Sequence, residues 1–252
     1  MKKHQDDHGP YGPRLTPKEA LGPDREDWLV FGQHRLLVRR PKSTDHLLDH
    51  PDIHYAFAQD EYLPYWPELW PAARMLAEFL ATSGTVPPGL QTTPPAGEAP
   101  SPPSRQAIEL GCGLGLPGLI ALKLGYAVTF TDYDGMAMEY AVANAELNGL
   151  EGATGLFLDW RKPPTDQKFD LILGSDLLYE PGKVQPLAAI VAHLLAPGGL
   201  AVVSDPDRGP AKTFPTELFA VGLSCQSHAV KLEEANGKTL TGTIYQVHRA
   251  SL

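Results

Sequence analysis

Residues 107–115 read Ala107-Ile-Glu-Leu-Gly-Cys-Gly-Leu-Gly115, and this stretch decides the fold class. A short strand pattern runs directly into three glycines, which stand at every second position. An apolar segment with helical character, residues 116–124, follows at once. Glycine adopts backbone angles that other residues disfavour, so the chain can turn sharply here from a strand into a helix. The stretch therefore predicts the strand–loop–helix unit of an α/β sheet.

The same alternation continues towards the end of the chain. Strands are predicted at 107–110, 127–131, 155–158, 169–173 and 200–204, and helices at 116–124, 136–147, 184–195 and 214–221. Two last strands, at 225–232 and 241–249, are joined by Asn236-Gly237, a dipeptide typical of hairpin turns. We therefore predict an α/β fold with a doubly wound, mostly parallel, seven-stranded, Rossmann-like sheet and a C-terminal antiparallel hairpin.

The chain before this core divides into three parts. Residues 1–26 are polar and predict a flexible tail. Residues 27–83 predict a small N-terminal β and helix extension, in which two short strands turn near Gly32 and Pro71 starts a helix. Residues 84–104 hold seven prolines and predict a linker or insertion. We expect 27–252 to form a single domain with its core at 105–252.

Composition limits the class of protein. The chain has 252 residues, of which 42% are hydrophobic, and a formal net charge of −9. Because phosphate binding needs basic surface, this charge disfavours nucleic acid as a substrate. The two cysteines, the lack of a signal-peptide pattern and the lack of an apolar run near ~20 residues predict a cytoplasmic protein without a membrane partner. The scattered histidines lack metal-ligand spacing, so no metal site is predicted.

The glycines and an acidic residue after the next strand predict a nucleoside ligand. In doubly wound sheets, ligands bind beyond the carboxyl ends of the strands. Asp132 follows Gly111 by 21 residues, close to the ~20 expected for a carboxylate that binds a ribose diol. Asp134 is a competing carboxylate, although its position before a helix also suits an N-cap.

The pattern departs from that of a dinucleotide site. Such a site needs Gly-x-Gly-x-x-Gly, and Leu116 occupies the last position of that motif here. Glu109 would stand unfavourably close to a pyrophosphate, whereas it would favour a cationic methionine portion that carries an ammonium and a sulfonium. The cofactor-binding core is therefore predicted to bind S-adenosylmethionine rather than a nicotinamide dinucleotide.

Two further strand ends complete the predicted site. Asp159 can accept a hydrogen bond from an adenine amino group, and Trp160 can cover the adenine ring. The segment Ser175-Asp-Leu-Leu-Tyr179 follows the fourth strand, where the methyl group would be presented. Asp176 and Tyr179 can orient an incoming amine there, because the face of an aromatic ring attracts cations.

Together these segments resemble class I, seven-β-strand methyltransferases. More narrowly, the chain resembles the protein lysine methyltransferases called methyltransferase family 16, which include the electron-transfer-flavoprotein β-subunit lysine methyltransferases. The resemblance covers roughly residues 60–205 and rests on Pro64-Tyr-Trp-Pro-Glu-Leu-Trp-Pro71, Glu109–Gly115, Thr131-Asp132, Asn144, Asn148, Asp159-Trp160 and Ser175–Tyr179.

The resemblance implies S-adenosylmethionine as the cofactor, S-adenosylhomocysteine as the product, and Asp176 and Tyr179 as the residues that face the substrate. It also implies a set of cofactor residues, which we extend with Gly113, Gly115 and Tyr133. The predicted cofactor site is then Trp70, Glu109, Gly111, Gly113, Gly115, Asp132, Tyr133, Asp159, Trp160 and Ser175.

We expect an N-methyltransferase that acts on a lysine of a protein substrate. Trp66, Trp70 and Tyr179 are predicted to form an aromatic channel in which Asp176 holds the amine. A small-molecule amine N-methyltransferase is the alternative, favoured by a closed lid, whereas an open groove favours a protein. A non-catalytic cofactor-binding module is a third reading. The Asn/Asp-Pro-Pro-Tyr/Phe motif of enzymes that methylate adenine or glutamine amides is missing after the fourth strand.

Overall fold

The computed structural model describes residues 8–44, 47–84, 105–162, 166–234 and 237–250. The strands in this part are β1 (His8–Gly9), β2 (Gly12–Pro13), β3 (Asp24–Phe31), β4 (His34–Pro41), β5 (Gln106–Leu110), β6 (Ala127–Asp132), β7 (Ala153–Phe157), β8 (Phe169–Ser175), β9 (Leu195–Asp205), β10 (Leu223–Glu233) and β11 (Thr239–Arg249). The α-helices are α1 (Pro51–Asp60), α2 (Pro71–Ser83), α3 (Leu116–Lys123), α4 (Gly135–Leu147), α5 (Pro181–Leu194) and α6 (Phe214–Ala220). Short 3-10 helices lie at Lys18–Ala20, Leu47–Asp49 and Gly209–Thr213.

Seven strands form the central sheet in the order β10-β11-β9-β8-β5-β6-β7. β11 runs antiparallel to both of its neighbours, and the other neighbouring strands of the sheet are parallel. The chain runs outward from β5 through β6 to β7 and then returns to β8 on the other side of β5. This reversal opens a crevice at the carboxyl ends of β5 and β8. The predicted doubly wound sheet with its C-terminal hairpin is confirmed.

Alternate residues of the central strands pack on opposite faces of the sheet. Ala107 of β5 and Leu171 of β8 belong to a core shared with α2, α3 and α4. Ile108 and Ile172 belong to a second core, shared with α5 and α6. Because side chains alternate along a strand, helices on both faces bury nearly every residue of these strands, and the strand sequences are mostly apolar.

The N-terminal segment packs against the domain over its described residues, where the sequence predicted a flexible tail at 1–26. Residues 1–7 lie outside the described residues. Arg14 forms an ion pair with Glu139 of α4 at 2.6 Å, and Thr16 is fully buried. The segment has few apolar residues, but its polar groups bind partners on α4, and the sequence pattern could not reveal those partners.

The hairpin of β3 and β4 forms a separate two-stranded sheet that rests on α4. Asn148, which follows α4, accepts a hydrogen bond from Leu37 N at 2.9 Å and donates one to Leu37 O at 2.8 Å. Asn144 forms the same two bonds with the backbone of Arg39, at 2.7 and 3.1 Å. Each side-chain amide therefore satisfies the edge of β4 as a neighbouring strand would, because it offers one donor and one acceptor.

Two regions of the described chain differ most from the sequence predictions. Helix α1 was not predicted, because Ile53 is the only fully buried residue among those whose burial is described in it, and no apolar stripe marks it. Helix α5 ends at Leu194, and β9 begins at Leu195, so the segment Pro197-Gly-Gly199 lies in a strand with a register irregularity. After Gly84, the predicted insertion over 84–104 lies outside the described residues, as does Asn236 of the predicted turn.

Two absences apply to the part of the chain that the structure describes. None of its helices combines the length and apolar character that crossing a bilayer requires. In the same residues, His, Cys, Asp and Glu side chains form no group of three that could hold a metal ion.

Candidate active site

A cavity of about 790 Å³ opens at the carboxyl ends of β5 to β8, a volume within the range of small-molecule sites. The glycine loop after β5, residues 111–115, and several residues of the segment 58–73 line this cavity. All but one of the predicted site residues line this cavity, and they are Trp70, Gly111, Gly113, Gly115, Asp132, Tyr133, Asp159, Trp160, Ser175, Asp176 and Tyr179.

The glycine loop has a backbone that only glycine fits. Gly111 and Gly115 have φ angles of 58° and 82°, which other residues rarely adopt. A Cβ atom at Gly111 would lie 2.6 Å from Leu177, and one at Gly115 would lie 2.9 Å from Phe130. Glycine therefore lets the loop turn tightly against these side chains, while residues 111–115 line the cavity.

Asp132 ends β6 and borders the cavity. Its Oδ2 accepts a hydrogen bond from Gly113 N at 3.1 Å, and its Oδ1 accepts one from Tyr133 N at 2.8 Å. Burial raises the pKa of Asp132 to about 6, and the nearby Asp134 adds to the rise, while the backbone donors oppose it. The backbone bonds fix the carboxylate and leave lone pairs for a ligand.

Asp134 has a different role from Asp132. It is fully buried and caps α4 by accepting a hydrogen bond from Met136 N at 2.9 Å. It also accepts hydrogen bonds from Thr16 N at 2.9 Å and from the hydroxyls of Thr16 and Tyr62. These partners occupy the carboxylate, and Asp134 does not line the cavity. The N-cap interpretation therefore describes Asp134, and Asp132 is the carboxylate available to a ligand.

Glu109 was predicted to contact the cofactor, but the structure places it beneath the glycine loop. It is fully buried, it does not line the cavity, and its Oε2 accepts a hydrogen bond from Gly118 N of α3 at 2.9 Å. Burial raises the pKa of Glu109 well above its usual range. Strand alternation explains the placement, because Glu109 shares the sheet face of Ala107, which α3 covers. Its carboxyl group therefore supports the first turn of α3.

Three aromatic rings meet at the mouth of the cavity. The ring centroid of Tyr65 lies 6.0 Å from that of Trp70 and 5.9 Å from that of Tyr179, both edge to face. Trp70 Nε1 donates to Tyr65 O at 2.7 Å, which fixes the indole. Trp66 borders the cavity, but its ring packs on Tyr140 at 5.0 Å and is nearly buried. Tyr65 therefore takes the place that we predicted for Trp66, and only its membership of the same short segment hinted at this.

Asp176 is only 7% exposed and has a φ angle of 59°, which is unusual for a residue other than glycine. Its Oδ1 accepts hydrogen bonds from Nε and Nη2 of Arg208 at 2.8 and 2.6 Å. Its Oδ2 is buried and has no hydrogen-bond partner among the described residues. Burial raises the pKa of Asp176, and Arg208 opposes the rise. Arg208 was not predicted from the sequence, although it follows β9, which is adjacent to β8.

At the other end of the cavity, Asp159 pairs with Arg161. Asp159 Oδ1 accepts hydrogen bonds from Arg161 N at 2.9 Å and Nε at 2.8 Å, and this arginine lowers the pKa of Asp159. The Arg161 guanidinium lies 5.5 Å from the ring centroid of Tyr133 and donates to its hydroxyl. Trp160 lies beside the glycine loop, where a Cβ at Gly111 would be 3.8 Å from its Cζ2, and it borders the same cavity as Asp159.

The cavity carries more acidic than basic side chains. Its acidic lining residues are Glu61, Glu68, Asp132, Asp159, Asp176 and Glu180, and its basic ones are Arg161 and Lys183. Such an excess attracts cations, and it disfavours phosphate-rich ligands.

The chain is similar to a known family over most of this region. The sequence profile of a family described as "Lysine methyltransferase" matches residues 58–213, which is more than half of the chain. That match includes every residue of the cavity lining.

Two curated proteins and one solved structure illustrate the similarity. Ribosomal protein L11 methyltransferase of Shewanella pealeana is 40% identical over 105 residues, which are 40% of this chain and 33% of that protein. Histone-arginine methyltransferase METTL23 of Rattus norvegicus is 27% identical over 140 residues, 53% of this chain and 56% of that protein. The chain thus spans less than two thirds of either relative. A putative RNA methyltransferase from Pyrococcus horikoshii shares the fold, with a TM-score of 0.53, 12% identity, and coverage of 79% of this chain and 98% of that one.

Proposed function

The chain belongs to the lysine methyltransferase family, and from this premise we propose that it methylates a lysine amine of a protein substrate. Its cofactor is S-adenosylmethionine. The observation that carries the proposal is the buried Asp176 carboxylate, with one unpaired oxygen, beside the rings of Tyr65, Trp70 and Tyr179. Aromatic faces and a carboxylate are the groups that bind an alkylamine.

The residues of the cavity fit the cofactor. The backbone of the glycine loop lines the cavity, and Asp132 offers acceptor lone pairs to a ribose diol. Asp159 and Trp160 suit the adenine, and the acidic lining suits a cation. When bound, S-adenosylmethionine supplies an electrophilic methyl group on a cationic sulfur.

The protein's own groups then have to deliver a neutral amine in the correct direction. A lysine amine has an ordinary pKa near ~10.4, so it is mostly protonated in water. Transfer into the ring-lined mouth removes water and lowers that pKa. Asp176 Oδ2 can accept a hydrogen bond from the amine and align its lone pair, which is the main contribution a site makes to a direct displacement.

The shape of the mouth supports a protein acceptor over a small-molecule amine. Tyr65 and Tyr179 are 42% and 39% exposed, so none of the described residues forms a closed lid over the rings. A side chain carried on a protein surface can therefore reach Asp176. The acidic lining also argues against a nucleic acid substrate. We further propose a cytoplasmic location, which is supported by the free state of Cys112 and Cys225.

The test is to incubate the protein with methyl-labelled S-adenosylmethionine and a proteome extract, and to map the label by mass spectrometry. We expect label on the side-chain amine of lysine in one or a few proteins. Asp176→Asn should lose transfer but bind S-adenosylhomocysteine within a few-fold of the unmodified protein, and the exposed Asp166→Asn should retain both. Label on arginine, on histidine or only on small molecules contradicts the proposal, as does an active Asp176→Asn variant.

A further inference from the structure

We propose that Arg208 is a positioning residue that orients Asp176 and balances its charge, so that the acceptor amine binds beside it in the neutral form. This inference rests on the proposed lysine methylation, and it adds a residue that the sequence motifs do not contain. Arg208 does not line the cavity, so it acts through Asp176.

The contact between the two side chains leaves one carboxylate oxygen available. Both Nε and Nη2 of Arg208 donate to Oδ1 of Asp176, at 2.8 and 2.6 Å. The other oxygen, Oδ2, is buried and has no partner within the described residues. A buried carboxylate oxygen without a partner is costly, so it is the natural place for a hydrogen bond from a ligand.

The surrounding structure holds Arg208 in this orientation. Asp205 Oδ1 accepts a hydrogen bond from Arg208 N at 2.6 Å, and Thr243 donates to Asp207 Oδ1 at 2.7 Å. The guanidinium also lies 5.9 Å from the ring centroid of Trp70. Asp176 itself and Asp207, which precedes Arg208, have positive φ angles of 59° and 63°. Strain of this kind collects at functional sites, where the surrounding contacts maintain it.

The charge of Arg208 addresses a chemical difficulty at this site. A lone carboxylate beside an amine favours the ammonium form, which has no lone pair and cannot attack a methyl group. A guanidinium on the same carboxylate cancels much of its charge and so lowers the pKa of the amine. The other charged or titratable groups near the ion pair are Asp205, Asp207, Asp132, Glu180, Tyr65 and Tyr179. All of these groups are acids, and the guanidinium of Arg208 is the cation that contacts Asp176.

The test compares Arg208→Gln and Arg208→Lys with a matched control, Arg39→Gln, which breaks the ion pair with Glu26 outside the cavity lining. The measurement is kcat against pH with a lysine substrate. We expect kcat of Arg208→Gln to fall roughly 100-fold near neutral pH, because the amine is misplaced and protonated. The deficit should shrink to less than about tenfold towards the ordinary pKa of lysine, where the neutral amine is abundant.

Arg208→Lys separates charge from geometry. Its kcat should have the same pH dependence as that of the unmodified protein, because the positive charge is kept. The value of kcat should stay several-fold below that of the unmodified protein, because lysine lacks the planar fork of arginine. All variants should bind S-adenosylhomocysteine within a few-fold of the unmodified protein. A deficit in Arg208→Gln that is equal at every pH, or an unchanged kcat, overturns the inference.

A second measurement requires no methyl transfer. In an NMR titration of the Asp176 carboxyl group, its pKa should be higher in Arg208→Gln than in the unmodified protein, since the guanidinium that lowers it is gone. An unchanged pKa overturns the inference whatever the acceptor is. If the unmodified protein methylates no lysine, the proposed function fails, and this titration still decides whether Arg208 balances the charge of Asp176.

Discussion

Thr16 donates to Asp134 twice, through its backbone N–H at 2.9 Å and through its hydroxyl, although 118 residues separate the two in the chain. Asp134 stands two residues after Asp132, and the two carboxylates would be hard to distinguish by composition. The bonds from Thr16 occupy Asp134 in the structure, and Asp132 borders the cavity. The N-terminal segment is therefore part of what shapes the nucleoside end of the site.

Asp134→Ala should lower the free energy of unfolding by at least about 3 kcal/mol, because it leaves several buried donors without a partner and removes a helix cap. Denaturant unfolding measures the loss. The exposed Asp166→Ala should change it by less than about 0.5 kcal/mol. Equal stability of the two variants would mean that the contacts with Thr16 and Tyr62 contribute little.

Affinity for S-adenosylhomocysteine should depend on the ionisation of Asp132. Its pKa is raised to about 6, and only the ionised carboxylate accepts two hydroxyl donors. Affinity should therefore weaken as pH falls below 6, by up to about tenfold per pH unit.

Isothermal titration calorimetry at several pH values measures this dependence. Asp132→Asn should bind more weakly and lose the dependence. Because Asp205 also has a pKa of about 6, a slope that persists in Asp132→Asn would assign the effect to Asp205 instead.

Tyr65 and Trp66 should respond in opposite ways to substitution. Tyr65→Leu removes a ring from the mouth, so kcat/KM for a lysine substrate should fall about tenfold or more at constant stability. Trp66→Phe removes the hydrogen bond from Nε1 to the Thr16 hydroxyl, so it should cost about 1 kcal/mol of stability and leave kcat/KM nearly unchanged. Kinetic assays and thermal unfolding measure both variants. A loss of kcat/KM in Trp66→Phe but not in Tyr65→Leu would instead support the predicted channel that contains Trp66.

Gly118→Ala should destabilise the protein although alanine favours helices. A Cβ at this position would lie 2.3 Å from Phe130 and 2.5 Å from Glu109 Oε2. The clash should cost about 1–3 kcal/mol, more than the roughly 1 kcal/mol that alanine contributes to a helix. Gly182 lies in the first turn of α5 and has open space around it, so Gly182→Ala should be neutral or slightly stabilising. A stable Gly118→Ala variant would show that α3 can move away from Glu109.

The sequence by itself determined the sheet and the position of the site. Strand and helix periods are local, and the ends of parallel strands meet at one edge, so the glycine loop, Asp132, Asp159 and Asp176 could be assigned to one crevice. The glycines are predictable for the same reason, because a tight turn after a strand requires them at fixed spacing.

Only the tertiary structure decided which polar groups partner one another. Glu109 faces α3 rather than the cavity, Asp134 is occupied by Thr16, and Asp176 carries Arg208 on one oxygen. These contacts join residues far apart in the chain, and no local period encodes them. Packing decides which hydrogen-bond donors reach a buried carboxylate, and those donors determine which acidic residue remains available to a ligand.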